Sequence, residues 1–275
     1  MRLSPTSILL EGRRALVTGA AQGIGAATAV GLARFGADVA MVDRQGDKLA
    51  QTIERVESLG REAPSLVADV RDTASMTDWI EDLSVTWPSL HVLVNNAGGG
   101  FVADVCELSA NAQAALIAEN FTQVADITRL CRPLLAAGSD KPGGASIINI
   151  TSVEAHRAGP GFGVYSAMKA AVANLTRTLA LELADERIRV NAIAPDMIPT
   201  PGDEQLTADS GALDEPGWSP TPWPDAGSPE DIAAAVIWLA GPMSGFVTGT
   251  TVHVDGGTLA SSGWKQRTSD GKWLL

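Results

Sequence analysis

Cysteine is nearly absent, with only Cys106 and Cys131 in 275 residues. Two cysteines cannot build the disulfide framework of a small secreted domain, and with three histidines in the chain no Cys/His cluster has metal-ligand spacing. No metal site is expected. Positive charge is also short: 20 Lys and Arg face 32 Asp and Glu, for a net charge of −12. That balance argues against nucleic acid and anionic membranes, whose partners need basic patches. No apolar run approaches the ~18 residues of a membrane span, and Ile8-Leu9-Leu10 is too short for the core of a signal peptide. A cytoplasmic protein is expected. Charged residues make up 19% and apolar ones 45%, which is the balance of a globular chain rather than a disordered one. Its length suits one large α/β domain or two small ones, and no linker or composition break divides it.

Aromatics are scarce at 5%, and tyrosine occurs once. That tyrosine, Tyr165, stands four residues before Lys169 and thirteen after Ser152. A tyrosine and a lysine at that spacing project from one face of a helix, one turn apart. An ammonium so placed favours the ionised phenol and draws its pKa below ~10. Such a phenol exchanges a proton with an alcohol or ketone near neutral pH. Tyr-x-x-x-Lys also arises by chance on surface helices, so the pair needs support from the rest of the chain.

Short apolar strands alternate with helical stripes. Strands are expected at 14–18, 39–43, 65–68, 91–95, 146–151, 188–193 and 251–254. Between them, Leu49, Ile53 and Val56 mark one helix face, and Met76, Ile80, Leu83 and Trp87 another. A long helix is expected over 116–134, one from the Tyr165 region to about Glu186, and one over 229–239. Regular alternation of this kind argues a parallel sheet covered on both faces. We read residues 1–275 as a single domain.

The first strand runs straight into Thr18-Gly19-Ala20-Ala21-Gln22-Gly23-Ile24-Gly25. Glycines at a strand-to-helix turn let the backbone approach a pyrophosphate, whose charge the helix N-terminus stabilises. A tight turn alone would also explain them. Asp43 ends the next strand, eighteen residues after Gly25, near the ~20 expected for an acid on the adenosine ribose. Its carboxylate would repel a 2′-phosphate, whereas Arg44 could bind one. Gln22 leaves the glycine loop without a second basic group, so the balance favours NAD(H), with Arg44 lying along the adenine.

With Thr18-Gly19 to Gly25, Asn95-Asn96-Ala97-Gly98, Asn120, Ser152, Tyr165 and Lys169 in that order, the chain resembles the short-chain dehydrogenase/reductase family over residues 10 to about 257. The resemblance implies a Rossmann-type, doubly wound, seven-stranded parallel sheet, a nicotinamide cofactor across the strand ends, and a homotetramer or homodimer. It implies that Tyr165 is the general acid/base, that Lys169 holds the nicotinamide ribose and lowers the tyrosine pKa, that Ser152 binds the reacting oxygen, and that Asn120 supports a water linking Lys169 to solvent. Asp69 and Val70 would contact adenine, Asn96, Ala97 and Gly98 would floor the cleft, and Pro195 and Ile198 to Thr200 would meet the carboxamide. The implied activity is hydride transfer between NAD(H) and a secondary alcohol or ketone. A 3-oxoacyl thioester reductase, a ring-alcohol dehydrogenase of the hydroxysteroid kind and a non-catalytic nicotinamide-binding sensor are the alternatives.

Two features depart from the family pattern. Pro195-Asp196 stands where Pro-Gly is usual, and the chain runs eighteen residues past Gly257. Residues 201–228, rich in proline and acids, read as a substrate lid whose Trp218 and Trp223 either meet a bulky lipophilic substrate or pack the lid onto its own domain. Glu154, His156 and Arg157 lie between Ser152 and Tyr165, in a loop that either lines the substrate pocket or is simply solvated. The tail at 258–275 carries Trp264 and Trp273 around Lys265, Arg267 and Lys272. It is expected to cross a subunit interface and border a neighbouring pocket.

Overall fold

In the computed structural model, which describes residues 3–201 and 217–275, seven strands form one sheet in the order β3-β2-β1-β4-β5-β6-β7. They are β1 Arg14–Thr18, β2 Asp38–Asp43, β3 Ser65–Val67, β4 Val92–Asn95, β5 Ala145–Ile150, β6 Ile188–Pro195 and β7 Thr251–Val254. Every adjacent pair is parallel. The order reverses between β1 and β4, so the crevice beyond their C-terminal ends is where such sheets bind ligands.

Among the described residues, seven helices cover the faces: α1 Gly23–Arg34, α2 Gly46–Glu57, α3 Thr73–Thr86, α4 Ala110–Ile117, α5 Gln123–Ala137, α6 Gly163–Glu182 and α7 Pro229–Ala240. Because strand side chains alternate, each central strand feeds two cores. Val17, Met41, Val94 and Ile148 pack with Leu49, Val56, Ile232 and Val236 on one face. Leu16, Val42, Leu93 and Ile147 pack with Met76, Ile80, Ile127, Cys131 and Leu135 on the other. Both faces being dry explains why the strands read as unbroken apolar runs. On the first face α1 lies close to α7: a Cβ on Gly31 would sit 3.3 Å from Ile237.

Three local differences from the sequence reading matter. The helix expected over 116–134 is instead α4 and α5 joined by a π-turn at Ala118–Thr122. The Tyr165 helix ends at Glu182, four residues early, because Arg187 takes a left-handed φ of 58° to turn the chain into β6. The tail folds back on its own chain. Lys265–Gln266 and Trp273–Leu274 pair antiparallel, and the outer side of the first strand bonds residues 217–219 through Ser219 N–H to Gln266 O and Thr268 N–H to Gly217 O, both 2.9 Å. The tail is thus hydrogen-bonded to residues 217–219 of its own chain. The lid reading at 201–228 falls partly on 202–216, outside the described residues.

Candidate active site

Gly19, in the left-handed region at φ 67°, turns the chain out of β1, and a Cβ there would lie 2.9 Å from the Ala97 Cα. At Gly25 a Cβ would meet the Gly19 carbonyl oxygen at 1.9 Å, so only glycine lets α1 start this close to the loop. The Thr18 hydroxyl accepts the Asn96 and Ala97 N–H groups, both at 3.0 Å. The Asn96 side chain donates to Thr18 O at 2.9 Å and Gly19 O at 3.1 Å. The glycine loop and the Asn95–Gly98 segment are therefore one hydrogen-bonded unit.

A cleft of about 760 Å³ opens above these segments. Gly19, Gln22, Gly23, Ile24, Gly25, Asp43, Arg44, Asp69, Val70, Asn96, Ala97, Gly98, Ser152, Tyr165, Lys169, Pro195, Ile198 and Thr200 all line it. Asp43 is buried and accepts the Ala21 N–H at 3.0 Å and the Gln45 N–H at 2.9 Å, one on each oxygen. Each oxygen keeps a lone pair, so a ribose hydroxyl can still donate to it. Arg44 leans toward Asp69 at 3.9 Å. Asp69 is gripped harder by Arg71, which holds its carboxyl down at about 2.

At the other end, Lys169 is buried and donates to the Ile150 carbonyl at 3.0 Å, with its Nζ 5.5 Å from the centre of the Tyr165 ring. Burial lowers its pKa to about 8, and the Glu119 carboxylate pulls the other way. Ser152 accepts the Glu154 N–H at 3.2 Å, leaving its hydroxyl proton to donate. Among the described residues no group of His, Cys, Asp and Glu could hold a metal ion.

Asn120 stays outside the cleft lining. In the π-turn its amide donates to Leu116 O at 3.0 Å and to Gly99 O at 2.8 Å, while its oxygen accepts the Gly99 N–H at 3.3 Å. The side chain repairs a helix carbonyl that the bulge strands and fixes the loop that passes over Tyr165, where a Cβ on Gly100 would be 3.3 Å from the ring. Sequence reasoning missed Gln123, one residue beyond the π-turn, which donates to Ala97 O at 2.9 Å. It also missed Lys48 of α2, which bonds the Gln22 side chain, so the glycine loop does have a second cation beside it.

A second cavity of about 500 Å³ lies between residues 218–222 and the tail. Trp218 lines it rather than the cofactor cleft, together with Trp264 and Trp273, while Trp223 is 63% exposed. His156 faces this cavity too, edge-on to His253 at 4.8 Å, and burial lowers its pKa.

The family model described as enoyl-(acyl carrier protein) reductase matches residues 19–258. The chain belongs to the short-chain dehydrogenase/reductase family. It is 35% identical to a 3-oxoacyl-[acyl-carrier-protein] reductase of Thermotoga maritima, over 90% of this chain and 98% of that one. It is 34% identical to gluconate 5-dehydrogenase of Gluconobacter oxydans, over 94% and 98%. The crystal structure of carveol dehydrogenase from Mycobacterium avium in complex with NAD superposes with a TM-score of 0.83 at 30% identity, over 91% and 99%. The chain is thus an oxidoreductase of a family that binds nicotinamide cofactors, and none of its helices among the described residues is long and apolar enough to cross a membrane.

Proposed function

We propose that residues 1–275 act as a single-domain, NAD(H)-dependent dehydrogenase that interconverts a bulky, lipophilic secondary alcohol and its ketone. The observation that carries this reading is the convergence of Ser152, Tyr165 and the buried Lys169 at one end of a cleft whose other end is closed by Gly19–Gly25 and Asp43. The cradle fits a dinucleotide: glycines where a Cβ would strike backbone, and a helix N-terminus facing the cleft. When bound, the cofactor accepts or donates the hydride. The protein's part is proton handling: Tyr165 takes the alcohol proton, Ser152 donates a hydrogen bond to the same oxygen, and Lys169 favours the phenolate. Asn120 holds the loop over Tyr165 in this scheme, supporting the relay to solvent from outside the cleft.

Asp43 supports NAD(H), since a second anion beside a buried carboxylate is disfavoured. Lys48 is engaged by Gln22 and does not line the cleft. The three aromatic walls of the neighbouring cavity support a lipophilic substrate over an acyl carrier. Assembly as a homotetramer or homodimer in the cytoplasm belongs to the same reading and rests on family membership.

A panel of secondary alcohols, including ring alcohols and hydroxyacyl thioesters, offered with NAD⁺ and NADP⁺ and read by cofactor fluorescence, tests the reading. Tyr165→Phe should bind NADH normally and lose two to four orders of magnitude in turnover, the scale of general acid/base chemistry. Asp43→Ala should shrink the preference for NAD⁺. A parent enzyme that prefers NADP⁺ contradicts the cofactor assignment; near-parental turnover in Tyr165→Phe contradicts the chemistry.

A further inference from the structure

Arg157 sits where the cofactor cleft and the tail cavity share a wall; it lines both, as do Asp196 and Met197. Its Nε and Nη2 donors are already committed. Nε and Nη2 donate to Glu154 Oε1 at 3.0 and 2.7 Å, and Nη2 also donates to Asp196 Oδ2 at 2.9 Å. Asp196 is fixed from two more sides, by the Thr258 hydroxyl at 2.7 Å and by the Met197 N–H at 3.0 Å on its other oxygen. The local turn puts Met197 at φ 52°, a strained left-handed conformation for a side chain of that size. Glu154 Oε2 is sealed from solvent with no hydrogen-bond partner among the described residues, and a Cβ on Gly159 would lie 2.6 Å from it.

One cation between two carboxylates leaves a local charge of −1, on two half-buried carboxylates and an arginine whose side chain is 38% exposed. A lone arginine at this place would draw in a carboxylate by paired hydrogen bonds. Here the Nε/Nη2 edge that would do so is occupied, and an incoming anion meets net repulsion that solvent screens only in part. Past the trio the space widens among Trp218, Trp264, Trp273 and Leu259, room of a size and character that suits a ring system.

We propose that Glu154 and Asp196, by engaging Nε and Nη2 of Arg157 at the wall shared by the two cavities, make this site a charge filter: it favours neutral, ring-bearing secondary alcohols and ketones and disfavours hydroxy acids whose carboxylate falls near the reacting carbon. The filter rests on the reading that Ser152 and Tyr165 mark the reacting centre, and it names the substrate class of that centre. Asp196 is the residue by which this chain departs from the Pro-Gly pattern, and it is a specificity determinant rather than a catalytic residue.

The test uses cis-4-hydroxycyclohexanecarboxylate and its methyl ester, which present the same ring alcohol with and without the charge. The parent enzyme should favour the ester in kcat/KM by about tenfold, the effect of one partly screened charge at several ångströms. Asp196→Asn should cut that preference by about tenfold, mainly through KM of the acid. Glu154→Gln removes the same charge from the opposite side and should act alike, which keeps the test open if either variant folds poorly. Arg157→Gln should widen the preference. A parent that takes acid and ester equally, or a preference unmoved by all three substitutions, overturns the filter. Binding of the same pair, followed without turnover by quenching of tryptophan fluorescence, separates the two ideas. If no alcohol is oxidised but the binding ratio moves as stated, the dehydrogenase reading fails and the filter stands.

Discussion

Lys169 shows how a buried charge is carried at the expense of stability. A buried ammonium with a pKa of about 8 binds fewer protons in the folded chain than the same lysine does unfolded between that pH and about 10.5. Stability therefore rises with pH across that window, and below it the folded protein bears the full cost of the buried charge, about 3 kcal/mol. Lys169→Met, of similar shape, should unfold at higher denaturant than the parent at pH 7, by about 2 kcal/mol, and the gain should fade as the pH approaches 10. Melts of the cofactor-free proteins at both pH values check it. A methionine variant less stable at pH 7 would show that the Ile150 hydrogen bond outweighs desolvation. The residue itself was legible in the sequence through its spacing from Tyr165. Its burial was not, because nothing in a Tyr-x-x-x-Lys string says which side of the helix meets the sheet.

Among the elements, the π-turn at Ala118–Thr122 is what the hydrophobic pattern concealed. A helical stripe tolerates one extra residue without losing its period, so 116–134 reads as continuous. Its hydrogen bonds do not: the bulge frees the Leu116 carbonyl, and Asn120 answers it while holding Gly99 from both sides. Asn120→Ala should destabilise the fold by about 1–3 kcal/mol, the range for leaving buried polar groups unpaired. It should also weaken NADH binding, because the 98–100 loop loses its tether to the helix. Unchanged affinity in a titration of that variant would reduce Asn120 to a helix repair. The fold of the tail was not legible for a related reason: two-residue strands carry no periodicity, and the bonds of Gln266 and Thr268 to residues 217–219 join positions nearly fifty apart.

For the molecule as a whole, acid stability turns on His91. It is buried at the start of β4, and its Nδ1 accepts the Arg14 N–H at 2.9 Å, a bond that requires the neutral ring. Burial, with Arg13 and Lys141 nearby and only Asp140 opposing, lowers its pKa to about 4. The unfolded chain binds the proton first as the pH falls, so this contribution is whole above about 6.5 and is lost progressively toward 4. About 3 kcal/mol goes in that interval. His91→Asn, whose side-chain oxygen can still accept from Arg14, should flatten the acid limb of a stability-against-pH curve. A limb of unchanged slope would assign acid unfolding to other groups.

The sequence by itself determined the sheet, its two dry faces and most of the residues that line the cleft, because these follow from local signals: strand period, glycine at a strand-to-helix turn, an acid at a strand end, and a tyrosine and lysine one turn apart. Tertiary structure alone decided the rest. It set Lys48 beside Gln22, threaded Arg157 between Glu154 and Asp196, and closed the tail over Trp218. Each of these joins residues far apart in the chain or in loops without a period. Such contacts come from how the packed elements bring the chain back on itself, and no local pattern encodes them.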